Sequence, residues 1–261
     1  MSVGAGEKVL DVEELSLAFG GLQAVEGFSM VLCRGELAGL IGPNGAGKST
    51  VFNLITGVYR PDKGEVHALG QRVTHWRPEA IARLGLVRSF QNIRLFRDLS
   101  VRDNLLAAMH AQPPYSLLAG LLRTSAYQRA EAGLRGRAQD LMDLMGLAPR
   151  AGEEAGGLPY GDQKKLEIAR ALAAGARVLL LDEPAAGMNP RESAWLMQTL
   201  RRLRDERGVS ILLIEHDMRV VMGLCERVLV MDHGRKIAEG TPRQVQRDAR
   251  VIEAYLGSKK G

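Results

Sequence analysis

Nine consecutive residues, Gly42-Pro43-Asn44-Gly45-Ala46-Gly47-Lys48-Ser49-Thr50, carry the most specific chemistry in the chain. They follow the apolar run Leu37-Ala38-Gly39-Leu40-Ile41 and precede a helix-like run, Val51-Phe52-Asn53-Leu54-Ile55. This is the G-x-x-x-x-G-K-[ST] spacing in a strand–loop–helix context. Glycines let the backbone bend until successive N–H groups converge on one point. Those donors, with the positive end of the following helix, suit phosphate oxygens. Lys48 supplies a mobile cation for the terminal phosphates. Ser49 offers a hydroxyl to Mg²⁺, an ion that usually keeps several of its waters. The plainer reading of the same residues is a glycine-rich turn before an ordinary helix.

Three further stations fit phosphate chemistry. Val178-Leu179-Leu180-Leu181 is an apolar run that ends in Asp182-Glu183. At the carboxyl edge of a strand beside the phosphate loop, Asp182 is placed for the Mg²⁺ shell, and Glu183 to polarise a water for attack on a γ-phosphate. A strand that merely ends in charge is common, so the pair alone is a weak signal. His216 follows the apolar run Ile211 to Ile214, one core strand later, where it could bond the γ-phosphate and hold the attacking water. Gln91 closes a strand-like run; its amide could reach Mg²⁺ or water, although a surface glutamine is the default reading.

These stations need a scaffold. Val9 to Phe19 reads as a strand in which Leu15, Leu17 and Phe19 alternate, and Phe28, Met30 and Leu32 alternate again. Glu65 to Leu69 and Leu84 to Phe90 read as further strands. From Val101 to Gly146 the pattern is helical, and Leu134, Ala138, Leu141, Met142 and Met145 share one helix face. Pro113-Pro114 breaks that region. The fully apolar runs Val178 to Leu181 and Ile211 to Ile214 read as buried parallel strands. A helix over Pro190 to Arg207 is expected to begin with Asn189 as N-cap, Pro190 first and Glu192 at the third position. A helix over Met218 to Glu226 and a hairpin over Val228 to Ala238 follow. The fold expected is α/β: a mostly parallel core with an antiparallel β part and an inserted helical subdomain. The core is assigned to about residues 1–91 and 158–261, and the insertion to about 92–157.

The 261 residues suffice for one such unit, and a hydrophobic content of 46% supports a core. No run reaches the ~18 apolar residues that a membrane helix needs. The first residues lack the apolar stretch of a signal peptide, so a cytoplasmic protein is expected, with any membrane role exercised through a partner. A net charge of +5 suits anionic ligands without choosing among them. The basic residues are dispersed and not interleaved with aromatics, which argues against a nucleic-acid partner. Cys33 and Cys225 fit buried thiols rather than a disulfide or a metal site.

Taken in order, these stations resemble the ATP-binding subunit of ABC transporters, over about Val9 to Leu256. The resemblance implies that Phe19 stacks on adenine and that Gly42 to Thr50 is Walker A. It makes Gln91 the Q-loop, Val178 to Glu183 Walker B, Ala186 to Asn189 the D-loop and His216 the switch histidine. Leu158-Pro159-Tyr160-Gly161-Asp162-Gln163 occupies the signature position, where the family usually reads Leu-Ser-Gly-Gly-Gln. Pro159 there lacks the hydroxyl and the N–H that would face a γ-phosphate; Gly161 and the following helix start remain.

Phe19-Gly20-Gly21, Leu95 to Val101, Glu183-Pro184-Ala185-Ala186-Gly187 and the terminal Tyr255-Leu256-Gly257 look closest to the branched-chain amino-acid importer ATPases. Urea or short-amide importers and lipopolysaccharide-export ATPases are neighbouring groups, and a soluble ABC protein outside transport is a further alternative. The resemblance implies ATP and Mg²⁺ as ligands, with Ser49, Gln91 and Asp182 toward the metal. It implies two membrane-spanning permease subunits, a second ATPase subunit (a different chain, or a second copy) and, indirectly, a substrate-binding protein. The place implied is the cytoplasmic face of the inner membrane. Ile93, Leu95, Phe96 and Leu99 would form a socket for a permease helix, ordinary packing of the insertion being the alternative.

Overall fold

The structure, a computed structural model, describes residues 6–89, 95–110, 121 and 124–256. It divides into two compact units, Met1–Gln91 with Arg177–Gly261, and Asn92–Ala176.

The first unit holds two sheets. In one, β1 (Lys8–Phe19), β2 (Leu22–Cys33), β4 (Lys63–Ala68) and β5 (Gln71–Arg72) run in the order β2-β1-β4-β5. All its pairings are antiparallel, and alternation puts Leu15 opposite Phe28 and Val12 opposite Met30 on the buried face. The second sheet has the order β10-β9-β3-β8-β7-β6. Here β3 (Leu37–Ile41), β6 (Leu86–Arg88), β7 (Val178–Asp182), β8 (Ser210–Ile214) and β9 (Arg227–Asp232) are parallel, and β10 (Arg235–Gly240) returns as a hairpin on β9. Every residue of β3, β7 and β8 is buried, which is why these segments are apolar apart from Asp182 at the end of β7 and Ser210 at the start of β8. Helix α1 (Lys48–Ile55) buries Val51, Phe52, Leu54 and Ile55 in one core with Leu10, Leu15 and Phe28 of the first sheet and Leu40, Leu180 and Leu212 of the second.

The helix α2 (Pro78–Leu84) precedes β6, in a stretch where the sequence showed no helical period; only Ile81 of it is buried. In the second unit lie α3 (Val101–Met109), α4 (Ser125–Leu144) and α5 (Tyr160–Ala173). The predicted face of α4 is the buried one: Leu134, Ala138, Leu141, Met142 and the following Met145 are each at most 5% exposed. Asn104 of α3 is fully buried, and its amide accepts the Phe96 N–H and donates to the carbonyls of Phe96, Leu99 and Ser100. Residues 158–176, which the sequence assigned to the core, belong to this helical unit, because the apolar side of α5 packs on α3 and α4.

Back in the first unit, α6 (Pro190–Arg207) starts as expected. The Asn189 side chain accepts the N–H of Arg191 and Glu192, and Glu192 accepts the Asn189 N–H. Helices α7 (Met218–Leu224), α8 (Pro242–Arg247) and α9 (Ala249–Leu256) complete it. Cys225 is buried, and burial pushes its thiol up to about 12, whereas Cys33 is only half-buried; both are free. Among the described residues, no helix is long and apolar enough to cross a membrane.

Candidate active site

Parallel pairing decides where the chemistry gathers. Leu40 of β3 lies beside Ile214 of β8, and Ile214 beside Asp182 of β7. The three chains therefore leave the sheet at the same edge, where ligands of open α/β sheets bind. Residues 42–47 follow β3, Glu183 follows β7, and Glu215 and His216 follow β8.

A cleft of about 500 Å³ opens there, lined by Asn44 to Thr50, Glu183, Leu22 to Ala24, and His233 and Gly234. Helix α1 begins after Gly47, whose φ of 98° no ordinary residue adopts readily, and no side chain caps it. Its first-turn N–H groups thus lack intrahelical partners among residues that line the cleft. The loop is pressed against its surroundings: a Cβ on Gly42 would lie 2.1 Å from the Met231 carbonyl oxygen, and one on Gly47 2.5 Å from that of Ala24.

Lys48 donates from Nζ to the carbonyls of Gly42 and Pro43 at 2.7 and 2.8 Å. Burial lowers the Lys48 pKa from the usual lysine range, and the charges of Glu183 and Asp182 oppose that. Asp182 is 3% exposed and accepts from Arg88 Nη2 at 2.6 Å, while Arg88 Nη1 donates to Asn53 Oδ1 and its guanidinium lies over the Phe52 ring. Glu183 has a left-handed backbone, φ 49°, with its N–H donated to Ile214 O. Its Oε1 is 3.7 Å from His216 Nδ1. The hydroxyl of exposed Ser49 and the carboxylate of Asp182 are hard oxygen donors, the set that suits Mg²⁺.

Not every candidate is drawn into this cleft. Asp182 and His216 stand at the same sheet edge but outside its lining; Phe19 is absent from it too, its ring packed edge-on to Tyr59, centroids 5.3 Å apart. Gln91 lies outside the described residues, as does Ile93. Gly161 belongs to the helical unit, in the first turn of α5; Pro159 is the N-cap there, and the helix has no side-chain cap. In the same unit Phe96 is half exposed and stacks against the Arg170 guanidinium at 4.8 Å. Sequence spacing missed Arg88, Glu215 and the lining residues Gln23 and His233, all brought in by strand pairing. It noted Tyr255 only as part of a terminal motif. Burial raises the phenol pKa of Tyr255, and an N–H from Gly42 of the phosphate loop, bonding to it, opposes that rise.

This geometry has close parallels. A family model described as ABC transporter matches residues 25–186, and one described as branched-chain amino acid ATP-binding cassette transporter matches residues 235–260. The chain is 44% identical over 251 residues to the high-affinity branched-chain amino acid transport ATP-binding protein LivG of Escherichia coli (strain K12), covering 96% of this chain and 98% of that one. It is 34% identical over 248 residues to the lipopolysaccharide export system ATP-binding protein LptB of the same organism, covering 95% and 97%. Among solved structures, the ADP conformation of MJ1267, an ATP-binding cassette of an ABC transporter, superposes with a TM-score of 0.81 at 30% identity, covering 96% and 99%.

The close approach of the loop sets a test. Gly47→Ala is expected to lower the melting temperature far more than Gly45→Ala, because no atom lies within 4 Å of a Cβ at Gly45. The latter change costs only left-handed strain, about 1–2 kcal/mol. Thermal unfolding of the two variants checks this; equal losses would show that the contact with Ala24 is unimportant.

Proposed function

We propose a working cycle for this chain, which belongs to the ABC transporter family as an ATP-binding and ATP-hydrolysing subunit. The observation that carries the reading is the shared sheet edge, where the phosphate loop, Asp182, Glu183 and His216 leave three adjacent parallel strands. The β- and γ-phosphates sit in the N–H cradle of residues 44–50. Lys48 exchanges its carbonyl partners for phosphate oxygens, with which it forms stronger charge-assisted bonds. Glu183 orients water for in-line attack on the γ-phosphate and takes up its proton. His216, beside Glu183, holds the γ-phosphate and the water in line. Ser49 and Asp182, with Gln91, would hold Mg²⁺, which when bound neutralises charge on the phosphate oxygens. The ionic tie from Arg88 fixes the orientation of Asp182.

The substrate system is branched-chain amino-acid import. Identity of 44% to LivG against 34% to LptB supports it, as does the branched-chain family match over residues 235–260. The chain works with two membrane-spanning permease subunits at the cytoplasmic face of the inner membrane, and through them with a substrate-binding protein. Half-exposed Phe96 and exposed Leu99 support a permease contact at the start of the helical unit. Two ATPase chains sandwich ATP head-to-tail, each phosphate loop facing the signature of the other. Pro159 supports a different chain as the partner. A homodimer would lack the serine hydrogen bond in both sites, a charge-assisted bond of roughly 1.5–3 kcal/mol. A partner with a complete signature restores it opposite this chain's phosphate loop.

Two experiments test the cycle. Lys48→Ala in the assembled transporter is expected to cut ATP hydrolysis at this site on the order of 100-fold or more; a near-parental rate would refute the cradle. Sedimentation with Mg-ATP, on a background that binds but does not hydrolyse, is expected to find the parent chain mostly monomeric and Pro159→Ser more dimeric. Tight parental homodimers, unchanged by the substitution, would overturn the pairing with a different chain.

A further inference from the structure

Glu215 stands between the last residue of β8 and His216, and 1% of its surface is exposed. A carboxylate so buried persists only if its oxygens are bonded. Its Oε1 accepts the Ala185 N–H at 2.9 Å, two residues beyond Glu183. Its Oε2 accepts the N–H of His216 at 3.1 Å, with that of Asp217 at 3.4 Å. Burial raises the pKa of the carboxyl, and the N–H groups of Ala185, Asp217 and His216 oppose that rise.

One side chain thus joins two loops. The turn after β7 is under strain, because Glu183 is held at φ 49°, and its closure relies on the Ala186 N–H reaching Glu183 O. The loop after β8 carries His216, whose ring is mostly exposed. We propose that Glu215 is a positioning residue for ATP hydrolysis: its carboxylate bonds the Glu183 turn to the His216 loop and so holds the two reacting side chains together. The proposal rests on the reading of Glu183 and His216 as the pair that handles water and γ-phosphate. Only a carboxylate of this length serves. Glutamine has the same shape but one acceptor oxygen, so its NH₂ must confront an N–H of one loop or the other, leaving that loop untied.

The test uses the assembled transporter with Mg-ATP in single turnover, together with equilibrium binding of a fluorescent ATP analogue. Glu215→Gln, His216→Ala and the double variant are compared with the parent. Glu215→Gln is expected to slow hydrolysis about 10-fold to 100-fold, as a small misplacement of reacting groups does, while affinity for the analogue stays within about twofold, as it does when an interaction made only in the transition state is lost. In the His216→Ala background it is expected to add much less than in the parent, because one of the two side chains it holds together is gone. Effects that multiply, or an unchanged rate in Glu215→Gln, would overturn the proposal. So would loss of folding or of nucleotide affinity in Glu215→Gln, since the carboxylate would then be a general structural tie. If His216→Ala itself leaves the rate unchanged, the assignment of the histidine fails, and the proposal falls with it.

Discussion

At Gly42 and Gly47 the phosphate loop runs where no side chain fits. Gly42 passes the carbonyl of Met231 at the end of β9, and Gly47 passes that of Ala24 in β2. The β9–β10 turn closes the arrangement: the Gly234 N–H donates to Ala46 O, and Gly234 O accepts the Glu26 N–H of β2. Three segments far apart in sequence are thereby packed backbone to backbone around residues 42–47. The antiparallel sheet, the parallel sheet and the start of α1 are joined at this one place. Backbone contacts at such short range leave the loop little room to shift, which is what a cradle of N–H donors requires before its ligand arrives. The cost is glycine's conformational freedom, and the apolar core around Phe52 and Ile55 offsets it.

Charge is arranged around that cradle in matched pairs. Lys48 lies in the field of Asp182 and Glu183, and Asp182 is tied to Arg88, itself held by Asn53 and Phe52 of α1. The acidic side of the site is thus bonded to the helix that follows the phosphate loop. Glu215 performs a similar service at the other side, between the turn of Glu183 and the loop of His216. The groups proposed to act on phosphate, at the ends of three strands, are held in relation to one another by side chains that need not touch substrate.

Much of this was legible in the sequence where local physics decides. Apolar runs of four or five residues announced β3, β7 and β8 because both faces of a parallel sheet are covered. Asn189, Pro190 and Glu192 announced the start of α6 because each satisfies a need of a helix N-terminus. The phosphate loop was legible because its glycines and lysine have few other uses in that order. What was not legible depended on pairing across the chain. Arg88 and Asp182 are 94 residues apart, and Glu215 and Ala185 30, so spacing along the chain does not connect them. Helix α2 was missed because one buried isoleucine makes no periodic stripe. Residues 158–176 fell with the core in the sequence because spacing along the chain does not show which neighbours a helix packs against.

The central claim is that Glu183, held at the sheet edge beside the phosphate cradle, activates water for ATP hydrolysis at this chain's own site. The most direct measurement is the identity of the nucleotide retained by Glu183→Gln in the assembled transporter after incubation with labelled Mg-ATP and rapid removal of free ligand. The account predicts unhydrolysed ATP, held in a closed pair of ATPase chains with turnover abolished. Recovery of ADP at the parental rate would contradict it.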